Sequence, residues 1–394
     1  MNSKLARKSQ KRIDTSYLSA LRIQRYGWNN LYPQDVDKIV RNSATGVACL
    51  DRYAKFIKGN GFFDDLLSEK VVNRDGATMD DLQNDLSADL ARFGGFAIHV
   101  NYNILGEIVE LQHVPFESAR LEEPDDNGFV NHVVLHPDWT GSSTRNGKKM
   151  TVDASHVDRI ATFNPDKAVV LAEIEEAGGI ANYNGQVLYV SNAGRNRYPL
   201  AKYDGVLAEM VTDEGISDLK NRDVLNGFFP AGVFVVKKGQ ALYFGNEDAD
   251  EDQEDAGDNE LVKNFQDLQG AANAQRAMVY FIGPDDEVPQ FVRIQGANYD
   301  KTFESTEKST TERIYAAFGQ EAFYRVRSGS LGFSSDIIQD VYSLYASMVV
   351  DEQRLIQRAF EAIADSFIGG GLALQDFQIQ PMVYVNTNNK NSAL

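Results

Sequence analysis

The sequence predicts an α+β chain: a mixed α/β N-terminal region, two helices enclosing a small β-containing insert, and a long amphipathic C-terminal helix. Three observations predict it. Apolar residues recur at three- and four-residue steps in separate blocks, strand-like runs lie between those blocks, and one apolar stripe continues from Ile337 to Phe367. With 394 residues, 43% of them apolar, the chain has ample material for a buried core, so wholesale disorder is excluded. The length allows two or three domains, or one core with elaborations.

The elements follow in order. Ser43 to Lys58 reads as a helix, with Val47, Leu50, Tyr53, Ala54 and Ile57 on one face and a stop at Gly59-Asn60-Gly61. Thr78-Met79-Asp80-Asp81 approximates a capping box with Asp in the Glu position. Leu82, Leu86, Leu90 and Phe93 then line a face until Gly94-Gly95. Phe96–Tyr102 and Glu107–Val114 form a predicted hairpin around Gly106. Strand-like stretches at 129–136 and 151–163 flank a polar loop, Gly141–Lys149. A helix is expected over Ala201–Leu225, interrupted or strained near Gly215. The β-rich runs Ala231–Val236 and Ala277–Ile282 follow, with a short helix around Asn259–Leu268 between them. Asn298–Phe318 is polar yet helically spaced through Tyr299, Phe303, Thr310, Ile314 and Ala317.

A Gly/Ser loop at 328–334 leads to the longest element, capped by Ser335 and striped by Ile337, Val341, Leu344, Met348, Leu355, Ala359, Ile363 and Phe367. It ends at Gly369-Gly370-Gly371 and would be on the order of 48 Å long.

Charge is unevenly spread over the net −18. Residues 246–260 hold nine acids and no base, half of that total, and read as a solvated loop. Residues 1–25 carry seven bases against Asp14, so everything after them carries −24. A body this negative gains no counterion-release energy from wrapping DNA, which disfavours ordinary high-affinity nucleic-acid binding. The basic N-terminal stretch fits a flexible arm docking on a partner better than a transit peptide, and no apolar stretch behind it suggests a secretory signal. The single Cys49 rules out an internal disulfide framework and a Cys-based metal site. No run approaches about 18 apolar residues, so no transmembrane helix is expected. The expectation is a soluble acidic protein made inside the cell.

Catalytic signatures fail on inspection. Gly141–Lys149 is one residue too long for a phosphate loop, places Lys149 where Mg²⁺ binding wants Ser or Thr, and lies between strands. His132 and His136 share a face if both lie on a strand, but no third ligand accompanies them, so no metal site is assigned. The acidic run, started at Asp252, has Gly257 in place for an EF-hand loop but Lys263 where the bidentate Glu belongs. Ser328-Gly329-Ser330-Leu331-Gly332 lacks the first Gly of a nucleophile elbow. No cofactor and no catalytic residue is expected.

The order of several loose motifs resembles a bacteriophage portal protein over about residues 43–368. Phe93-Gly94-Gly95-Phe96 with the Gly106 hairpin and Leu111-Gln112-His113-Val114-Pro115 is similar to that family's helix–hairpin pattern. Ser155-His156-Val157 through Phe163 is similar to a following strand, and Tyr198-Pro199-Leu200 to the entry of a stem helix. Asn226-Gly227-Phe228-Phe229-Pro230-Ala231-Gly232-Val233, Gly270-Ala271-Ala272-Asn273-Ala274, Glu312–Gly319 and Phe333–Phe360 (with Gln353 and Ile356) continue the series. The acidic run is longer than the pattern, and the tail after 372 is too short for a large helical crown.

The resemblance implies a portal-like ring subunit of α+β class: a mixed α/β wing (43–200) behind a basic arm (1–42), a helical stem (201–228 and 297–318), and a small α/β clip (229–296). A tunnel loop (319–334), the long helix (335–368) and a C-terminal strand and tail (369–394) complete it. Such a ring, usually of twelve subunits, is implied to be a passive conduit for double-stranded DNA at a unique capsid vertex of the virion. It docks the packaging terminase and neck or tail adaptor proteins, is assembled in the host cytoplasm, and touches no membrane. Arg325, Arg327, Ser328 and Ser330 would face the DNA channel, the two arginines touching phosphates without reading sequence; pairing with nearby acids is the competing expectation for them. Lys237, Lys238, Asp250 and Asp252 would dock the motor at the clip, and Arg7, Lys8, Lys11 and Arg12 would reach the major capsid protein or a scaffold. Two other readings stay open: a cytosolic enzyme with an unrecognised carboxylate or histidine site, and another ring-forming neck or secretion adaptor.

Overall fold

A six-stranded sheet organises the larger of two units into which the chain divides, Met1–Val211 with Ser309–Leu394; the smaller is Thr212–Lys308. The computed structural model describes residues 16–145, 148–149, 151–193, 197–225, 232–237, 277–282, 299–332, 334–364 and 377–384.

The larger unit opens with a small hairpin, β1 (Tyr17–Leu18) and β2 (Ile23–Gln24), then α1 (Tyr32–Asn42) and α2 (Ala44–Lys58). Pro33 sits in the first turn of α1, where a missing N–H costs nothing, and Tyr32, Val36 and Val40 bury one face. Ser43 starts α2 by accepting a hydrogen bond from the Gly46 amide at 2.9 Å. Gly59 ends it at φ 64°, and a Cβ there would lie 2.1 Å from the Gln380 carbonyl, so only glycine fits. After one helical turn, α3 (Asp65–Ser68), comes α4 (Met79–Phe93). Its expected capping box is present: Thr78 Oγ1 accepts from the Asp81 amide, and the Asp81 carboxylate accepts from the Thr78 amide. Gly94 closes the helix in the left-handed region.

The sheet runs β4 (Ile108–Val114), β3 (Gly95–Tyr102), β10 (Gln186–Ser191), β9 (Asp158–Thr162), β6 (His132–Leu135), β5 (Ala119–Leu121). All neighbours are antiparallel except β10 and β9. Between β6 and β9 lies a two-residue hairpin, β7 (Thr144–Arg145) with β8 (Lys148–Lys149), and between β9 and β10 lies α5 (Lys167–Glu176). Helix α4 lies on β3 and β4, and α2 packs on α4.

Both sheet edges are blunted, which removes a template for stray strand pairing. At β4 the Leu111 amide donates to the Val72 carbonyl, and Arg74 holds Glu110 at 2.9 Å. At β5 the Leu121 amide donates to the Tyr198 phenol, which donates on to the Gln24 carbonyl of β2. Arg120, completely buried, donates to the Ala119 and Glu117 carbonyls and to both oxygens of Asn30. The segment preceding α1 is thereby tied down along the sheet edge.

Beyond the sheet, a 3-10 turn (Asp204–Val206) precedes α6 (Leu207–Leu225); α7 (Tyr299–Ala317), α8 (Glu321–Arg327), α9 (Ser335–Met348) and α10 (Val350–Ala364) follow. Helix α10 returns to α2 and α4. There Gln353 donates to the Phe56 and Ile57 carbonyls in the last turn of α2, where carbonyls lack partners within the helix. Residues 377–384 pair with the turn after α2 through Asn60, Gly61 and Phe63.

Several expectations are corrected. The long helix is two: Val349, fully buried, has left helical geometry at φ −104° and ψ 8°. On either side of the break, α9 turns Tyr345 and Ala346 inward and α10 buries Ile356, Phe360 and Ile363. The expected stripe is only partly inside, since Leu344 and Met348 are 55% and 46% exposed. Tyr342 and Tyr345 join Phe56 and Phe323 in an aromatic cluster, and that contact sets the rotation of α9 in place of the aliphatic line. Ser334, not Ser335, caps α9 by accepting from the Ile337 amide. Residues 319–334 are not all loop, because α8 occupies 321–327. Helix α6 begins at Leu207, since Tyr203 is buried with its phenol on the Arg92 carbonyl, and it runs unbroken through Gly215. A lone glycine costs about 1 kcal/mol relative to alanine, too little to interrupt nineteen residues. The stretch 151–163 is a strand only from Asp158, because Asp153 gathers Thr151, Ser155 and His156 into a turn. Residues 16–42, assigned with the basic arm, fold into the larger unit. Helices α1 and α5 and strand β10 were not anticipated. The expected helix at 259–268, the acidic run 246–260 and the Gly369–Gly371 stop lie outside the described residues.

In the smaller unit, β11 (Gly232–Lys237) and β12 (Ala277–Ile282) pair in parallel over their full lengths. Lys220 of α6 meets Glu307 of α7 at 2.5 Å. The unit boundaries fall within α6 and α7.

Candidate functional site

The sequence points to α8 and the turn after it. Glu321–Arg327 is only seven residues, too short to hold a helix in water without tertiary anchors. Those anchors lie at its start. Gly319 reverses the chain at φ 67°, and the Gln320 amide returns to the Tyr315 carbonyl at 2.8 Å. The Gln320 side chain is fully buried and uses its polar atoms completely. Its Nε2 donates to the Cys49 carbonyl of α2 and to the Tyr345 phenol of α9, both at 2.9 Å. Its Oε1 accepts from Arg52 Nη1 at 2.6 Å. Tyr345 in turn donates to the Phe318 carbonyl at 3.0 Å, and burial pushes its phenol pKa upward. The Arg52 guanidinium also lies 4.8 Å from the centre of the Phe323 ring, a cation–π contact.

At the far end, Arg325 and Arg327 are both exposed. Arg327 donates to the buried Tyr315 phenol at 3.2 Å, and that hydrogen bond raises its pKa. Neither arginine pairs with a carboxylate among the described residues, so the expected acid pairing gives way to a phenol for Arg327. Ser328 caps the helix end, its hydroxyl on the Arg325 carbonyl at 3.2 Å and 2.8 Å from the Ser330 hydroxyl. The four residues singled out here thus share one helix end, with two positive charges and two hydroxyls turned to solvent. That chemistry suits transient contact with phosphate oxygens and offers no nucleophile–base pair.

The other designated residues are not brought to this place. Lys237 ends β11 in the smaller unit, while Lys238, Asp250, Asp252, Arg7, Lys8, Lys11 and Arg12 lie outside the described residues. His132 and His136 do not share a strand face. His132 bonds Glu122 at 2.6 Å, and His136, just past β6, is buried and accepts from the Asp138 amide. Among the described residues no group of three or more His, Cys, Asp or Glu is placed to hold a metal ion, and no helix is long and apolar enough to cross a membrane. Gly141–Lys149 carries the β7–β8 hairpin and opens no helix. Gln320 and Arg52 were missed, and the one sequence cue was the Gly319-Gln320 step between two apolar-spaced segments.

No protein-family model matches the chain, and no curated protein matches it. Among solved structures it is similar to a chain in the neck of a native GTA particle computed with twelve-fold symmetry, at 15% identity and a TM-score of 0.48, covering 86% of this chain and 82% of that one. It is also similar to a chain of the virion of a native gene transfer agent particle, at 14% identity and a TM-score of 0.46, covering 84% and 79%. A chain in the neck of an empty GTA particle computed with six-fold symmetry matches at 14% identity and a TM-score of 0.46, covering 91% and 85%. At this level of similarity no residue role passes from those chains to this one.

Proposed function

We propose that the chain is a subunit of a portal-type ring, a passive conduit for double-stranded DNA with no catalytic centre of its own. The observation that carries the reading is the helix end at 325–330, where two exposed arginines with no carboxylate partner among the described residues sit beside two hydroxyls on a chain of net −18. A conduit must hold DNA weakly. A negative body repels phosphate, and a small number of cations at one level of a ring give brief, sequence-blind contacts that resist leakage without stalling movement. The order of elements supports the same reading: a helix–hairpin region, two helices bracketing a small unit with a two-stranded sheet, then a short cationic helix before a long helical run. In this reading the ring has about twelve copies, the basic arm reaches the capsid protein or scaffold, and the unit holding Lys237 and the acidic run meets the packaging motor and later the neck of the virion.

The test is assembly and DNA retention. Negative-stain imaging of the purified protein is expected to show rings with a central hole. Arg325→Ala with Arg327→Ala is expected to lower DNA retention in assembled particles while ring formation stays intact. Unchanged retention in intact particles removes the assignment of these arginines, and a monomer with no ring at any concentration removes the conduit.

A further inference from the structure

We infer that Gln320, gripped by Arg52, is a positioning residue: it fixes the pose of α8, so that Arg325 and Arg327 are presented from a set direction and not from a free loop. The inference rests on the conduit reading for its consequence, but its geometry stands alone. Gln320 is the only residue between the Gly319 reversal and the first residue of α8. Its amide joins three elements at once, through Cys49 of α2, Tyr345 of α9 and, by way of that phenol, Phe318 at the end of α7. Its backbone continues the grip, the Tyr324 amide donating to the Gln320 carbonyl at 3.1 Å. Arg52 holds the same helix twice, by the hydrogen bond to Gln320 and by the stack on Phe323 one turn later.

The opposite end of α8 is held to α7, where Tyr324 packs on Tyr315 and hydrogen-bonds Glu312 and Arg327 donates to the Tyr315 phenol. Beyond the Arg327–Tyr315 contact the chain passes Gly329 and Gly332, both near φ 77°, where reorientation is cheap. Helix α8 is a lever with its fulcrum at Gln320. Seven residues at about 1.5 Å each place Arg327 about 10 Å from that fulcrum, so a tilt of about 20° moves the guanidinium by about 3 Å. That displacement is as large as the hydrogen bond it would make to a phosphate oxygen.

The experiment uses the full chain assembled into rings. Gln320→Leu keeps bulk but removes both donors and the acceptor. Hydrogen exchange of the 321–331 amides is expected to rise about tenfold, with exchange in α10 and ring formation unchanged. DNA retention is expected to fall to the level of the Arg325→Ala, Arg327→Ala double variant. Arg52→Lys, which retains charge but not the flat stack on Phe323, is expected to give an intermediate loosening, and it carries the test if Gln320→Leu does not fold. Unchanged exchange at 321–331 in both variants overturns the inference. So does normal retention in Gln320→Leu when the double variant loses DNA, an outcome that leaves the conduit standing. If α8 loosens while neither Gln320→Leu nor the double variant alters retention, the anchor is upheld and the assignment of the two arginines to DNA falls.

Discussion

Replacing Arg120 by methionine tests how the sheet edge is closed. The side chain is completely buried, and its acceptors are Asn30 Oδ1, Gln34 Oε1 and the carbonyls of Asn30, Glu117 and Ala119, with the Glu117 charge acting on it from farther off. Two of these survive its loss, because Asn30 Oδ1 also takes the Tyr26 amide and the Glu117 carbonyl also takes Gln34 Nε2. Gln34 is only half-buried, so water can reach its oxygen. That leaves the Asn30 and Ala119 carbonyls bare, at about 1–3 kcal/mol each. The guanidinium also lies 4.9 Å from the Trp139 ring centre, a contact worth about 1 kcal/mol. Against this stands relief of a desolvated cation: burial pushes the Arg120 pKa down from 12.5 to about 10, equivalent to about 3 kcal/mol at neutral pH. The opposing terms leave a net loss of about 2 kcal/mol, on the order of 4 °C in Tm. Circular-dichroism melting of wild type, Arg120→Met and Arg120→Lys measures it, and limited trypsin digestion reads the local effect as faster cleavage after Arg22 and Arg25. A Tm at or above wild type would show that the buried charge is a burden and not a clasp. A chain that fails to fold would show that the cancellation is wrong.

The capping box gives a local counterpart: Thr78→Ala leaves the Asp81 amide without its acceptor and is expected to cost about 1 kcal/mol, read as a lower urea midpoint with an unchanged slope. His113 gives a pH dependence. Burial alone would lower its pKa, but the 2.7 Å bond to Asp89, the charge of Asp89 and the nearby Asp85 outweigh burial and raise it above 6.5. Its contribution is therefore complete below pH 6.5 and is lost as pH rises through the higher folded value. His113→Gln should flatten the stability–pH curve in that window, and a curve parallel to wild type would refute the assignment.

What the sequence disclosed follows from range. Helices α2 and α4, the β3–β4 hairpin and α7 were legible because periodicity, caps and turn glycines act within a few residues, as Ser43, Thr78, Gly94 and Gly106 do. Helix α5 was missed because its buried residues are only Val170 and Ile174, too few for a stripe to show. Strand β10 pairs with one strand antiparallel and another in parallel, a placement no local pattern encodes. Arginines 325 and 327 were singled out by residue type. Their pose was not, since Arg52 and Gln320 lie 268 positions apart and meet only through folding.

The same reasoning explains which face the two C-terminal helices bury. A straight helix keeps one stripe inside, and the aliphatic line through Leu344 and Met348 offered such a stripe. But α9 has a second inward claim, from Tyr345 on the Gln320 amide and Tyr342 against Phe56 and Phe323, on a face roughly a quarter-turn away. Past Met348 the same face continues, Gln353 reaching the Phe56 and Ile57 carbonyls and Phe360 stacking on Phe377. At about 100° per residue Tyr342 and Phe360 fall on one line, as do Tyr345 and Ile363, so the two helices bury the same face. Val349, buried and out of helical geometry, marks the break between them without a change of face. The buried polar contacts decide the matter because each unmade one costs about 1–3 kcal/mol, comparable with leaving a partly exposed Leu or Met at the surface. Tyr345, which takes the Gln320 amide at the start of α8, thus belongs to the face that α9 and α10 share.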